Sequence, residues 1–206
     1  MPFFSPEWVT EAPITQVGPA AMGLLVKQFN DNLAAFRADG IGDDDVDRWN
    51  RRIANSTSIA NGALRVAGRD ASALSYVYKF MGVPVGFLSL SDLEPTYIND
   101  ITAHPGAANA GGILLEFAVN FSARRGHGGR IELYSLNAES SAFYLDHGFT
   151  RDDPTDTDGG NMALDPASAH GRGYWTRVGE TWRLSRYLGQ KILNMKMSKP
   201  LPKPPL

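Results

Sequence analysis

Cysteine is absent from all 206 residues. This removes disulfides, thiolate zinc sites and a cysteine nucleophile together, and it fits a reducing compartment. No apolar stretch reaches the roughly 18 residues that suggest a membrane span, and the N-terminus lacks the basic start and short apolar core of a secretion signal. A cytoplasmic protein without stable membrane association is therefore expected. Histidine is scarce, at four residues, and none combines with Asp or Glu at convincing metal-ligand spacing, so no metal is expected. Net charge is also small, at −2. It conceals an asymmetry: residues 1–169 hold twelve Lys or Arg against twenty-one acids, and residues 170–206 hold eight against one. The basic end has no aromatic–basic repeat, which argues against a nucleic-acid partner.

What remains is enough for one filled core, with 43% hydrophobic and 20% charged residues. Residues 1–19, with three prolines before position 18 and little periodicity, read as an irregular arm that can tuck Phe3, Phe4 and Trp8 against the body. A helix is expected over 20–38, with Leu24, Leu25, Phe29, Leu33 and Phe36 at helical spacing. The acids of DDDVDRW suit the first turn of a second helix running to about residue 62. From residue 73 the period changes to that of strands: ALSYVYKF and VGFLSL form a hairpin-like pair, and TYINDITAH is a third strand. A helix over 110–124 follows, with Ile113, Leu114, Phe117, Ala118 and Phe121 on its buried side. RIELYSL is a strand, and NAESSAFYLDHGF is a helix with Asn137 as cap and Gly148 as terminator. This order predicts an α+β fold of α/β-like character, a mixed central sheet flanked by helices with parallel members at its centre.

Past residue 150 the pattern weakens to an acidic turn, RDDPTDTDGG, and a short candidate strand, NMAL. The main domain is placed at 20–165. Residues 166–198 carry Trp175, Trp182, Leu184 and Tyr187, too much apolar surface for a free tail. They are expected to pack on the domain, with KILNMKM as a candidate last edge strand. The end, 199–206, is proline-rich and reads as a disordered tail.

Two elements carry chemistry. In HPGAANAGGILLEF, adjacent glycines open a helix directly after a strand. Small residues there let an anion approach the unpaired N–H groups of the first turn, although glycines also serve plain packing against a sheet. The stretch satisfies neither the P-loop nor the dinucleotide-fold spacing. In SLNAESSAFYLDHGF, Tyr144 is either a core aromatic or, facing a cleft, a proton donor to a departing thiolate. Phe143 and Phe149 are assigned to the core.

Together, YINDITAHPGAANAGGILLEFAVNFSARRG and IELYSLNAESSAFYLDHGF resemble the GNAT superfamily of acyl-CoA-dependent N-acyltransferases. The resemblance covers residues 73–152 in order and spacing, and residues 20–62 fit the two early helices of that family. It implies a splayed strand pair forming an acyl-CoA cleft, with the backbone of Tyr97–His104, including Ile101 and Ala103, along the pantetheine arm. It places the pyrophosphate at Asn109, Ala110, Gly111, Gly112 and Ile113. The loop holds no arginine, so backbone amides must carry the phosphates, helped by Arg124, Arg125 or a residue of the basic end. Asn137, Ser141 and Tyr144 are carried over to the cofactor side, with Tyr144 as the acid that protonates departing CoA.

The implied reaction is transfer of an acetyl group from acetyl-CoA, the co-substrate, to a primary amine in a ternary complex. Asp100 ranks first as general base and Glu94 second, with Asp92 and His104 behind. The acceptor is a small-molecule or protein amine, and an acidic rim suits a cationic one. A homodimer is compatible with these features. The rival reading is a non-catalytic interaction protein that retains the acyltransferase fold.

Overall fold

In the computed structural model, the described residues are 14–35, 43–69, 72–107 and 109–185. Most of the N-terminal arm, Phe36, the KILNMKM strand and the proline-rich end lie outside them. Seven strands form a mixed sheet in the order β1-β2-β3-β4-β5-β7-β6, and two further strands, β8 and β9, pair separately. The chain divides into two compact units. Among the described residues, one comprises 14–35, 43–69, 72–89, 100–107 and 109–114, and the other 90–99 and 115–185.

In the first unit, β1 (Ile14–Gln16) lies antiparallel to β2 (Ala73–Phe80), so part of the expected irregular arm is a strand. Helix α1 (Pro19–Ala35) buries Met22, Val26, Phe29 and Leu33. These residues recur at intervals of four, three and four, one continuous stripe of a 3.6-residue period. Leu24, expected in the core, is 75% exposed because it sits off that stripe. Helix α2 (Asp43–Arg69) runs past its expected end, and its Ala60 and Ala63 join the α1 stripe, Val77 and Phe87 in one core cluster. Small residues on α2 let its backbone approach the aromatic layer, where Phe29 meets Phe87 edge to face at 5.2 Å.

The turn from β2 to β3 (Val83–Ser91) consists of Met81 and Gly82, both at positive φ. That conformation matches the twist of a hairpin, and Pro84 lies inside β3. Gly86 of β3 is there for space: a β-carbon would stand 2.8 Å from Leu114 Cδ1 and 3.0 Å from the Thr102 carbonyl. Strand β4 (Thr96–Ala103) and helix α3 (Ala110–Arg124) contribute residues to both units.

In the second unit, β5 (Ile131–Ser135) turns Ile131, Leu133 and Ser135 inward. Helix α4 (Ala138–Leu145) follows, and β6 (Thr150–Arg151) and β7 (Gly160–Leu164) extend the sheet antiparallel beyond β5. The short NMAL candidate is thus a genuine strand. Past it come α5 (Pro166–Gly171), β8 (Trp175–Val178) and β9 (Thr181–Leu184). Trp175, Trp182 and Leu184 are buried, as the apolar content of this region requires.

The hairpin of β8 and β9 is held to α3 by side chains rather than by strand pairing. Asn120 accepts from the Trp182 amide at 2.8 Å and donates to its carbonyl at 2.9 Å, while Glu116 accepts from the Leu184 amide at 2.7 Å. One helical turn apart on α3, the two side chains serve alternate residues of β9.

Candidate functional site

Strand β4 pairs with β5 in parallel over three residue pairs, the last being Ile98↔Leu133. Both strands continue, β4 to Ala103 and β5 to Ser135, and the end of β5 is paired to β7 through Tyr134↔Asn161 and Ser135↔Gly160. Asn99, the next residue of β4, has its side chain bonded to Ser91 Oγ at 2.9 Å. Ile101 and Ala103 therefore lie past the end of the parallel ladder. The carbonyl of Ala103 accepts from Ser56 Oγ of α2 at 3.3 Å.

Asp100 is half-buried on this part of β4, against α2. A β-carbon at Gly62 would stand 3.0 Å from its Oδ1, so the absence of a side chain there makes room for the carboxylate. Burial raises the Asp100 pKa, and the Arg65 guanidinium offsets part of that rise. Gly62 and Arg65 were missed by sequence reasoning. A glycine inside a 27-residue helix was the available signal, since it costs helix stability unless something needs the space.

After β4 the chain turns through His104–Asn109 into α3. His104 is 1% exposed. Its amide donates to the Val85 carbonyl at 2.8 Å, and its carbonyl accepts from the Ala107 amide at 2.8 Å. The Gly106 amide donates to Nδ1 at 3.1 Å. Asn109 adopts positive φ and accepts from the Ile113 amide at 3.0 Å, which starts the helix. Gly111 and Gly112 belong to the first turn, whose N–H groups point out of the helix end. Ala110 and Gly112 are buried, and Gly111 is half-buried.

In the second unit Asn137 caps α4. Its Oδ1 accepts from the Ser140 amide at 2.9 Å, and Ser140 Oγ accepts in return from the Asn137 amide at 3.1 Å, a capping box. Ser141 is fully buried and donates to Ser135 Oγ at 2.9 Å. Asn137 and Ser141 thus hold the junction between β5 and α4, and Ser135 and Ser140 complete a network that sequence reasoning did not include.

Tyr144 is 8% exposed, between Phe143 and Phe149 with ring centroids 5.4 and 5.3 Å away. Burial pushes its pKa well above the ordinary phenol value. Among the described residues its hydroxyl makes no hydrogen bond. Phe149 is core, as expected, but Phe143 is 36% exposed, turned outward on α4 and packed on the His147 ring at 4.1 Å.

Glu94 is an exposed carboxylate paired with Arg130 at 3.1 Å, and Asp92 pairs with Arg125 at 3.1 Å. Arg124 lies over the Phe117 ring at 5.8 Å. Among the described residues no group of three His, Cys, Asp or Glu is arranged to hold a metal ion, and no helix is long and apolar enough to cross a membrane.

No family model and no curated protein matches the chain. Solved structures similar to it include acetyltransferases. A GCN5-related N-acetyltransferase from Rhodopseudomonas palustris is 18% identical with a TM-score of 0.48, covering 75% of this chain and 95% of its own. The PaiA N-acetyltransferase of Thermoplasma acidophilum in complex with coenzyme A is 15% identical with a TM-score of 0.47, covering 74% and 97%. The ribosomal-protein-S18-alanine N-acetyltransferase of Escherichia coli is 18% identical with a TM-score of 0.47, covering 73% and 91%.

Proposed function

We propose that this chain is a GNAT-type N-acetyltransferase that moves an acetyl group from acetyl-CoA to a primary amine by direct attack. The observation that carries the reading is the early end of the β4–β5 ladder. Residues 99–103 of β4 continue without a β5 partner in the register. An extended chain bearing amides, such as pantetheine, can pair with main-chain groups of that kind as a strand would. The turn that follows leads into a helix whose glycine-bearing first turn suits a diphosphate.

In the reaction the amine nitrogen attacks the thioester carbonyl, the C–N bond forms and the C–S bond breaks. The amine proton passes to a carboxylate, directly or through water, and the sulfur leaves with the electron pair of the C–S bond. Asp100 is the better supported base, because burial brings its pKa up toward the operating range. Glu94 is less suited, being exposed and already paired with Arg130.

For Tyr144 the direction of the shift refines the expected role. A phenol above its ordinary pKa of about 10 is a weaker acid than a thiol near 8.5, so full proton transfer to the thiolate is uphill by more than about 2 kcal/mol. Tyr144 acts instead as a hydrogen-bond donor to the charge that develops on sulfur. Its lack of a protein acceptor among the described residues fits that task.

Titration calorimetry with acetyl-CoA and with CoA tests the reading, followed by a panel of primary amines. Micromolar binding and amine-dependent release of CoA are expected. A folded chain that binds neither compound refutes it and leaves the non-catalytic interaction role.

A further inference from the structure

We infer that His104 is a positioning residue that pre-forms the turn before α3 for the donor's diphosphate, and that it is not the general base. The inference rests on the acetyl-CoA reading above and adds a role for a residue which that reading leaves unused.

Bases need access to the proton they take, and His104 is 1% exposed. Its nitrogen chemistry is already assigned by its neighbours. The Gly106 N–H donates to Nδ1, so Nδ1 is unprotonated and the hydrogen sits on Nε2. A main-chain group of Asn32 in α1 also interacts with the ring, and burial lowers the tendency of the ring to take a second proton. The ring also stands edge-on to Phe29 at 6.0 Å. One side chain thereby ties the turn to the core cluster of α1.

From His104 a relay of short bonds reaches the helix start. The Ala107 amide donates to the His104 carbonyl, the Ala110 amide to the Ala107 carbonyl at 3.3 Å, and the Ile113 amide to the Asn109 carbonyl. The turn contains Gly106 and ends at Asn109 in a positive-φ conformation, so a free chain of this composition would sample many shapes. A histidine acceptor for the Gly106 amide selects one of them before any ligand arrives. Binding then avoids the ordering cost of the turn.

The test compares CoA with S-acetylpantetheine, which has the thioester arm but no diphosphate, on the full chain and on His104→Leu and His104→Asn. Leucine keeps apolar bulk beside Phe29 and removes the acceptor, while asparagine restores an oxygen near the Nδ1 position. Loss of one buried hydrogen bond corresponds to roughly a five- to tenfold weakening. We expect CoA binding to His104→Leu to weaken by about that factor, with S-acetylpantetheine binding unchanged and the loss appearing in KM for acetyl-CoA rather than in kcat. His104→Asn should recover most of the affinity.

Equal weakening of both ligands, or no recovery with asparagine, overturns the inference in favour of a general packing role. A fall in kcat at saturating donor, with CoA affinity unchanged, restores His104 as a base and also overturns it. Should His104→Leu not fold, His104→Ala takes its place, and loss of CoA affinity without loss of S-acetylpantetheine affinity, recovered in His104→Asn, is again the supporting result. If the unaltered chain binds no CoA, the acetyl-CoA reading falls first and this inference with it.

Discussion

Replacing Tyr144 with Phe removes a single oxygen from a site whose surroundings fix the outcome. The ring is 8% exposed and held by Phe143 and Phe149, so phenylalanine fills the same volume without a cavity. Among the described residues the hydroxyl has no hydrogen-bond partner, so its removal orphans no protein group, and the usual penalty of about 1–3 kcal/mol for an unsatisfied partner does not arise. Urea unfolding of Tyr144→Phe is therefore expected to give stability equal to that of the unaltered chain, or higher by up to about 1 kcal/mol. Catalysis should respond differently. A donor aimed at charge that appears only in the transition state contributes roughly 100- to 1000-fold in kcat, or about 2.7–4 kcal/mol. The ground-state thioester carries no such charge on sulfur, so the Kd for acetyl-CoA should change less than about twofold. Thiol release followed with a chromogenic disulfide gives kcat, and calorimetry gives Kd. A kcat within fivefold of the unaltered chain would refute the role of Tyr144, and a loss of stability above about 1 kcal/mol would refute the claim that its hydroxyl is unpartnered.

Three further outcomes follow from buried polar groups. Asp100→Asn should lower kcat by roughly 100-fold or more and abolish the rise of kcat/KM with pH that begins above the ordinary carboxylate range, because burial raises the Asp100 pKa; an unaltered pH–rate profile speaks against it as the base. Glu116 is also raised by burial, with the Leu184 amide and Arg183 opposing. Between its ordinary and its raised value the folded chain keeps a proton that the unfolded chain has lost, so this group's contribution to stability falls as pH rises through that window and is recovered below it. Urea midpoints from pH 4 to pH 7 should show that slope, and Glu116→Gln should flatten it. Asn120→Ala leaves the Trp182 N–H and C=O without the partners now at 2.8 and 2.9 Å, a loss of roughly 2–6 kcal/mol at about 1–3 for each buried group; a change under 1 kcal/mol in urea unfolding contradicts the clamp.

The elements were readable wherever one face is apolar and the other is not. The strands over 73–80 and 131–135 and the helices over 110–124 and 138–145 follow from period and punctuation, because alternation and the 3.6-residue repeat are imposed by burial itself. On α1 the period was right, and Phe29 and Leu33 are buried as expected with Leu25 packed against the same cluster, but Leu24 faces outward. Leu24 and Leu25 are the more hydrophobic choice by residue type, yet the buried stripe passes through Met22 and Val26. The phase of an apolar helix depends on which neighbours it meets, and α2 presents alanines there. The NMAL strand could not be trusted at four letters, since what stabilises it is pairing with two other strands on either side.

The positions that hold the site elements in place follow no period at all. His104 fixes the turn before α3 by accepting from an amide two residues on. Asn137 and Ser140 fix the start of α4, and Glu116 and Asn120 fix β9 to α3. Each is a polar side chain satisfying a main-chain group that regular secondary structure leaves over, at helix starts, turns and strand edges. Burial makes such bonds obligatory, because the orphaned amide or carbonyl costs more than the bond returns. Composition cannot reveal them, as a serine or asparagine in solvent looks the same in sequence. Glu116 and Asn120 are the partial exception. Two polar residues one turn apart on a helix that otherwise reads AGGILLEFAVNF are improbable as plain surface, and their spacing alone calls for a partner with matched donors. That reasoning extends to Asp100: a carboxylate kept half-buried on β4, with Gly62 opposite to make room and Arg65 beside it to temper its charge, has the balance of burial and compensation that a base working near neutral pH requires.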